Sequence, residues 1–174
     1  FSVDVCKQWE ACFFNHSFEH VRQVALRTAI ALGKQGGVMK PFRNLVKFGL
    51  GGKMGNGLQQ FSWIHTLDFC RAVEFLIQHK TCQGVYNIAS PYPITNEYFM
   101  KTLRHQYHQS FGLNLKKWML EIGALIIQTE TELILKSRYV IPEKLVNEGF
   151  KFRYEKIEEA VGNLAIGQFG NSAI

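Results

Sequence analysis

The strongest constraint on this chain is its alternation of short β-branched segments with helical ones. VRQVALRTAIA (Val21–Ala31), FSWIH (Phe61–His65) and GVYNIA (Gly84–Ala89) read as strands, and each is followed by a stretch of helical periodicity. Strands separated by helices pair in parallel, because the crossover has to return along the sheet, so the fold class is α/β. No glycine-rich strand-to-helix turn of the dinucleotide-binding kind is evident. Phe1, Val5 and Trp9 recur every four positions, placing one buried face on an opening helix that runs to about Phe14, with no capping residue ahead of it. The chain is therefore expected to be the second half of an α/β protein, its ligand-cradling first half lying outside it.

Further along, Val38–Val46 reads as a short helix with Pro41 in its first turn. Gly49–Gly57, GLGGKMGNG, places five glycines in nine positions. It does not match a phosphate loop, because Met54 follows Lys53 where a Ser or Thr is required. Thr66 is positioned to cap a helix through Gln78, with Phe69, Val73 and Leu76 as its stripe, widened by Cys70 and Ile77. Asp68 falls in the first turn, where the helix dipole favours an acid. Thr95 caps a further helix that buries Phe99, Leu103 and Tyr107. After Gly112 the pattern becomes mainly helical: Trp118–Ile126, Thr131–Lys136, Pro142–Asn147 and Lys156–Leu164. The expected organisation is an α/β part over residues 1–112, a small helical lobe over 113–166, and a frayed tail over 167–174.

With 47% hydrophobic residues in 174, the chain has enough apolar surface for a core. The net charge of +6 is spread over scattered lysines and arginines rather than one face, so no nucleic-acid role is expected. The apolar run Trp118–Ile127 is broken by Glu121 and is too short to span a bilayer, so no membrane role is expected either. Cys6, Cys12, Cys70 and Cys82 lack close metal spacing, and the helical patterns around Cys6, Cys12 and Cys70 suit free thiols in a reducing cytoplasm. His105 and His108 lie three apart with no third ligand nearby, so no metal site is expected.

Several segments in order resemble the sugar-nucleotide-epimerase-like branch of the extended short-chain dehydrogenase/reductase superfamily. They are Leu26-Arg27-Thr28-Ala29-Ile30, FGLGG, GNG-LQQFSWIH with Asp68, and VYNIASPYPITNEYF. The ending VIPEKLVNEGFKFRYEKIEEAV resembles the short, DUF1731-like C-terminal domain of one subgroup of NAD(P)-dependent epimerase-like proteins. The resemblance covers roughly residues 1–164. It implies the C-terminal part of a Rossmann-like fold with a small, mainly helical C-terminal lobe. It also implies NADP or NAD as cofactor, held mainly by the absent half, and a small-molecule substrate related to nucleotide sugars. The opening helix is one candidate for pairing two copies into a homodimer.

The resemblance also assigns positions. Arg27, Thr28, Ala29 and Ile30 would lie on the nicotinamide side, and Gly52, Gln59, Gln60, Trp63, His65 and Asn87 on the substrate side. His65 and Asp68 match the family's IH-x-x-D pattern, whereas Leu67 and Leu58 replace its frequent aspartate and arginine. The superfamily's Tyr-x-x-x-Lys pair falls at Ser2 and Cys6, with Lys7 one residue off. A serine and a thiol cannot take over phenolate and ammonium roles, so no catalytic residue is assigned. Each position also has a structural reading. His65 could join a strand end to the helix turn at Asp68, and Arg27 could lock the sheet through an ion pair. The five-glycine loop could be a tight connection, and Arg138 and Tyr139 could dock the lobe.

Overall fold

A computed structural model describes residues 2–16, 19–34, 36–115 and 136–166. The expected helices over Trp118–Ile126 and Thr131–Lys136 and the expected tail therefore lie outside the described residues, apart from Lys136.

The single strand expected over Val21–Ala31 forms as two, β1 (Val24–Thr28) and β2 (Ile30–Leu32). The break at Ala29 is a change of partner. β1 runs parallel to β5 (Gly84–Ile88), with Leu26 opposite Tyr86, and β2 runs parallel to β4 (Trp63–His65). Ala29 donates its N–H to the Ile88 carbonyl, ending the first ladder, and Ile30 donates to Ser62, opening the second. A short antiparallel pair, β3 (Gln60–Phe61) with β6 (Ile94–Thr95), completes the strands among the described residues. β1 is not the buried strand its sequence suggests: its second half is exposed. Among the described residues β5 covers one of its edges and none pairs with the other.

Among the described residues six helices accompany these strands: α1 (Ser2–Phe14), α2 (Met39–Lys47), α3 (Thr66–Gln78), α4 (Asn96–Gln106), α5 (Glu143–Asn147) and α6 (Ile157–Ile166). α1 forms, but its expected face is not buried, since Val5 is only half-covered and Trp9 is 71% exposed. β2 leads to α2 by way of Gly33, Gly36 and Gly37, the last at φ 61.

α3 is capped by His65, whose Nδ1 accepts the Leu67 N–H at 3.0 Å, and not by Thr66, which donates its hydroxyl to the Leu32 carbonyl. Its buried row is Asp68, Ala72 and Leu76; Cys70 and Ile77 face outward. An inward Asp68 shifts the row away from the expected stripe, because positions four apart share one face. α4 matches expectation: the Thr95 hydroxyl accepts the Tyr98 N–H, and Phe99, Leu103 and Tyr107 are buried.

β4 separates two cores, because successive residues of a strand face opposite ways. Trp63 belongs to a cluster with Phe42, Phe61, Phe99 and Leu103, in which Phe61 and Phe99 stack at 4.4 Å. Ile64 belongs to a second cluster with Leu76, Tyr86 and Ile88. The C-terminal segment enters both: Ile157 and Val161 of α6 join the first, and Leu145 and Phe150 join the second. Ahead of α5, residues 137–140 run along Gln60–Ser62. Gln60 N–H donates to the Ser137 hydroxyl, Arg138 N–H to the Gln60 carbonyl, and the Ser62 hydroxyl to the Arg138 carbonyl.

Candidate functional site

Where β1 gives way to β2, the chain leaves one sheet partner for another and a space opens between them. A cavity of about 270 Å³ lies there, walled by Thr28, Ala29 and Ile30, by Gln59–Ser62, and by Lys136, Arg138 and Val140. A wider groove of about 700 Å³ continues past Thr28, Ala29 and Val140 to Cys6, Glu10, Arg27, Asn87 and Tyr139. The two spaces share those three residues, so they form one continuous surface at the carboxyl ends of β1 and β5, where open α/β sheets hold ligands.

The predicted residues divide over this map. Thr28, Ala29, Ile30, Gln59 and Gln60 meet in the cavity, and Arg27 and Asn87 lie in the groove. Arg27 forms a forked pair with Glu10, both contacts being 2.6 Å. The paired guanidinium holds the Glu10 carboxyl below its ordinary value, and Glu10 raises Arg27 in return. Gln59 is nearly buried, with its amide donating to the Met54 carbonyl. Asn87 donates to the Ile141 carbonyl at 3.3 Å.

Three predicted residues lie elsewhere. Trp63 is fully buried, with its indole N–H on the Tyr92 carbonyl. Gly52 packs against the backbone of Leu113; a Cβ there would come within 2.4 Å of the Leu113 carbonyl. The whole five-glycine loop is closed by this segment through Gly52 N–H to Leu113, Leu113 N–H to Gly49 and Gly55 N–H to Leu115. It is a tight connection. His65 sits in a separate pocket beyond the ends of β2 and β4. Its ring is tilted over Tyr154 at 4.1 Å, and burial lowers its pKa, against the opposing pull of Asp68.

Asp68 is completely buried, and its carboxylate accepts from Arg71 and from the backbone N–H groups of Arg153 and Tyr154. It fastens the C-terminal segment to α3. Among the described residues no group of His, Cys, Asp and Glu could hold a metal, and His108, at φ 53, already lies past the end of α4.

Sequence reasoning missed Lys136 and the side chain of Arg138 as cavity walls. No periodicity marks them, since they belong to a segment that becomes a wall only by running along Gln60–Ser62. Cys6 and Glu10 were placed on α1, and their spacing of four does predict that both face the same way.

Comparison with known proteins bears on this surface. A profile described as a domain of unknown function, DUF1731, matches residues 117–164. An epimerase family protein of Staphylococcus aureus is 30% identical over 167 residues, covering 94% of this chain. One from Mycobacterium leprae is 30% identical over 161 residues. This chain is homologous to the epimerase family proteins. It spans about half the length of the curated relatives it matches, 54% of the first and 52% of the second. Human epimerase family protein SDR39U1 (isoform 2), solved with NADPH, superposes with a TM-score of 0.83 at 25% identity, covering 94% of this chain and 54% of the human one. The nucleoside-diphosphate sugar epimerase of Corynebacterium glutamicum gives 0.72 at 28% identity, covering 93% of this chain and 30% of that one. The α/β architecture with its parallel pairs is thus the Rossmann-like fold of the extended short-chain dehydrogenase and epimerase proteins. Among the described residues no helix is long and apolar enough to cross a membrane.

Proposed function

We propose that this chain supplies the substrate-side part of an NAD(P)-dependent epimerase or oxidoreductase acting on a small molecule of the nucleotide-sugar class. The observation that carries the reading is the continuous cavity and groove at the carboxyl ends of β1 and β5. In it, the Arg27–Ile30 segment assigned to the nicotinamide side meets Gln59 and Gln60. The NADPH in the human relative's structure and the sugar-nucleotide activity in the name of the Corynebacterium relative support it. In this reading Thr28 to Ile30 border the nicotinamide, and the hydroxyl of Thr28 and the amide of Gln60 orient the reacting group. Residues 136–140 act as the wall that carries Arg138 over the cavity.

A second reading has one observation in its favour. α1 presents Cys6, Trp9 and Glu10 to the groove, while Lys7 does not line it. An ammonium group that could lower a phenol pKa is thus missing from the groove-facing residues of α1 among those described. This arrangement suits a nucleotide-binding protein without turnover.

The test is titration of NADPH and NADH against the native protein at its natural length, followed by nicotinamide fluorescence. Binding weakened by Thr28→Val is the expected result, and binding of neither nucleotide overturns the proposal. Hydride transfer to or from a nucleotide sugar, impaired by Gln60→Ala, then separates the enzyme from the binding protein.

A further inference from the structure

The pocket around His65 is separate from the nicotinamide-side cavity and groove and has its own chemistry. β2 and β4 are parallel neighbours that end side by side at Leu32 and His65. Beyond those ends lies an open pocket of about 530 Å³, walled by Gly33, Lys34, Gly36, Gly37, Thr66 and Asn163 together with His65. The Nδ1 of His65 is committed as acceptor to the Leu67 N–H, so in the neutral ring the proton sits on Nε2. That N–H is buried, on a residue only 5% exposed, and it has no hydrogen-bond partner among the described residues. His65 and Asn163 both wall the pocket, and the interaction with the Asn163 side chain works to raise the imidazole pKa against the lowering by burial. A buried donor left unpaired is a standing cost unless something accepts from it.

Other groups at this end of the fold also favour a negative group. Lys34 brings an exposed ammonium. The connection through Gly36 and Gly37, the latter at φ 61, leads into α2, whose N-terminus has no side-chain cap. The first turn of α3 begins at Thr66 on the same wall. Strand ends, a glycine connection and helix N-termini together make the usual setting for a phosphate. The nearby carboxylate of Asp68 is already occupied by Arg71 and by the N–H groups of Arg153 and Tyr154.

We propose that this pocket binds the phosphate group of a small-molecule ligand, accepting from the Nε2–H of His65 and pairing with Lys34. The exposed Asn163 amide swings aside and adds a third donor.

The probe is inorganic phosphate, titrated against the full chain with sodium chloride matching the ionic strength and observed through the imidazole nitrogen and Nε2–H resonances of His65. Phosphate should shift Nε2–H and slow its exchange. Lys34→Gln, a change on an exposed residue, should weaken the affinity at least about tenfold. In His65→Asn, where the amide oxygen can still cap α3, phosphate should no longer bind measurably. A His65 signal that ignores millimolar phosphate overturns the proposal. So does equal affinity in the parent chain and Lys34→Gln, which would mark a diffuse charge effect. Neither readout involves the nicotinamide surface, so the phosphate proposal and the nicotinamide-side reading fail independently.

Discussion

Replacing Asp68 by alanine tests how the C-terminal segment is held. The Asp68 carboxylate is completely buried and serves three donors: Arg71 at 2.7 Å and Arg153 N–H at 2.9 Å on one oxygen, Tyr154 N–H at 2.8 Å on the other. Hydrogen bonds to a charged acceptor are each worth about 1.5–3 kcal/mol. The two backbone donors are partly buried, so water replaces part of their loss, and the lower half of that range applies to each. Arg71 is 39% exposed and finds water readily, so its share is below about 1 kcal/mol. The expected cost of Asp68→Ala is therefore about 3–5 kcal/mol. In urea, with a slope of roughly 2 kcal/mol/M, the midpoint should fall by about 1.5–2.5 M with the slope unchanged. Asp68→Asn should fall between, because its amide oxygen accepts one N–H while its NH2 opposes the other. Arg71→Ala should move the midpoint by less than about 0.5 M. A loss under about 1 kcal/mol for Asp68→Ala would refute the latch. An Arg71→Ala effect as large as that of Asp68→Ala would show that the ion pair, and not the backbone contacts, holds the segment.

Gly52→Ala should lower stability by about 2–3 kcal/mol in thermal unfolding, because the new Cβ meets the Leu113 backbone at 2.4 Å. Gly36→Ala, where a Cβ meets nothing within 4 Å, is the near-neutral control, and equal effects would remove the packing explanation of the loop. Arg22 donates to the carbonyls of Leu76 and Ile77 in the last turn of α3 and to that of Cys82 beyond it. Arg22→Ala should cost about 1.5–3 kcal/mol and speed hydrogen exchange in the last turn of α3 before that of its first turn. The folded-state pKa of Glu10 is depressed by Arg27, so its contribution to holding α1 is complete above the ordinary carboxyl value and is lost as pH falls through the lowered one. A carboxyl carbon NMR titration should place the Glu10 midpoint below the ordinary value and return it there in Arg27→Ala. A wild-type midpoint at the ordinary value would contradict the pairing.

The parts of the fold that local chemistry determines could be read from the sequence. Thr95 caps α4 through its own hydroxyl, Phe99, Leu103 and Tyr107 fall on one side by helical spacing, and Gly149 turns the chain at φ 92 ahead of Phe150. What tertiary structure decides could not. Whether β1 is covered depends on its neighbours in space, and its β-branched composition carries no information about them. The break at Ala29 is equally silent in sequence, because Ala29 itself is unremarkable; the strand divides since β5 ends at Ile88 and β4 lies alongside β2. Asp68 looks like a helix-dipole acid in its own turn, and its burial depends on the arrival of Arg153 and Tyr154, which are 85 and 86 residues away.

The same distinction explains why the candidate site divides. Thr28, Ala29 and Ile30 are consecutive, and Gln59 and Gln60 directly precede and enter β3, so pairing brings these two short stretches together. His65 is only five residues past Gln60, but a strand advances about 3.3 Å per residue, which carries it roughly 16 Å to the far end of β4. Motif proximity in a strand is thus distance along the sheet, and one short motif spans two pockets. Gln60 then belongs with the nicotinamide-side segment, while His65, capping α3 with one nitrogen and presenting an unpaired N–H with the other, belongs to a different ligand environment. A substitution at either residue should therefore leave the chemistry of the other intact, and coupling between them, if measured, would have to travel through β4 itself.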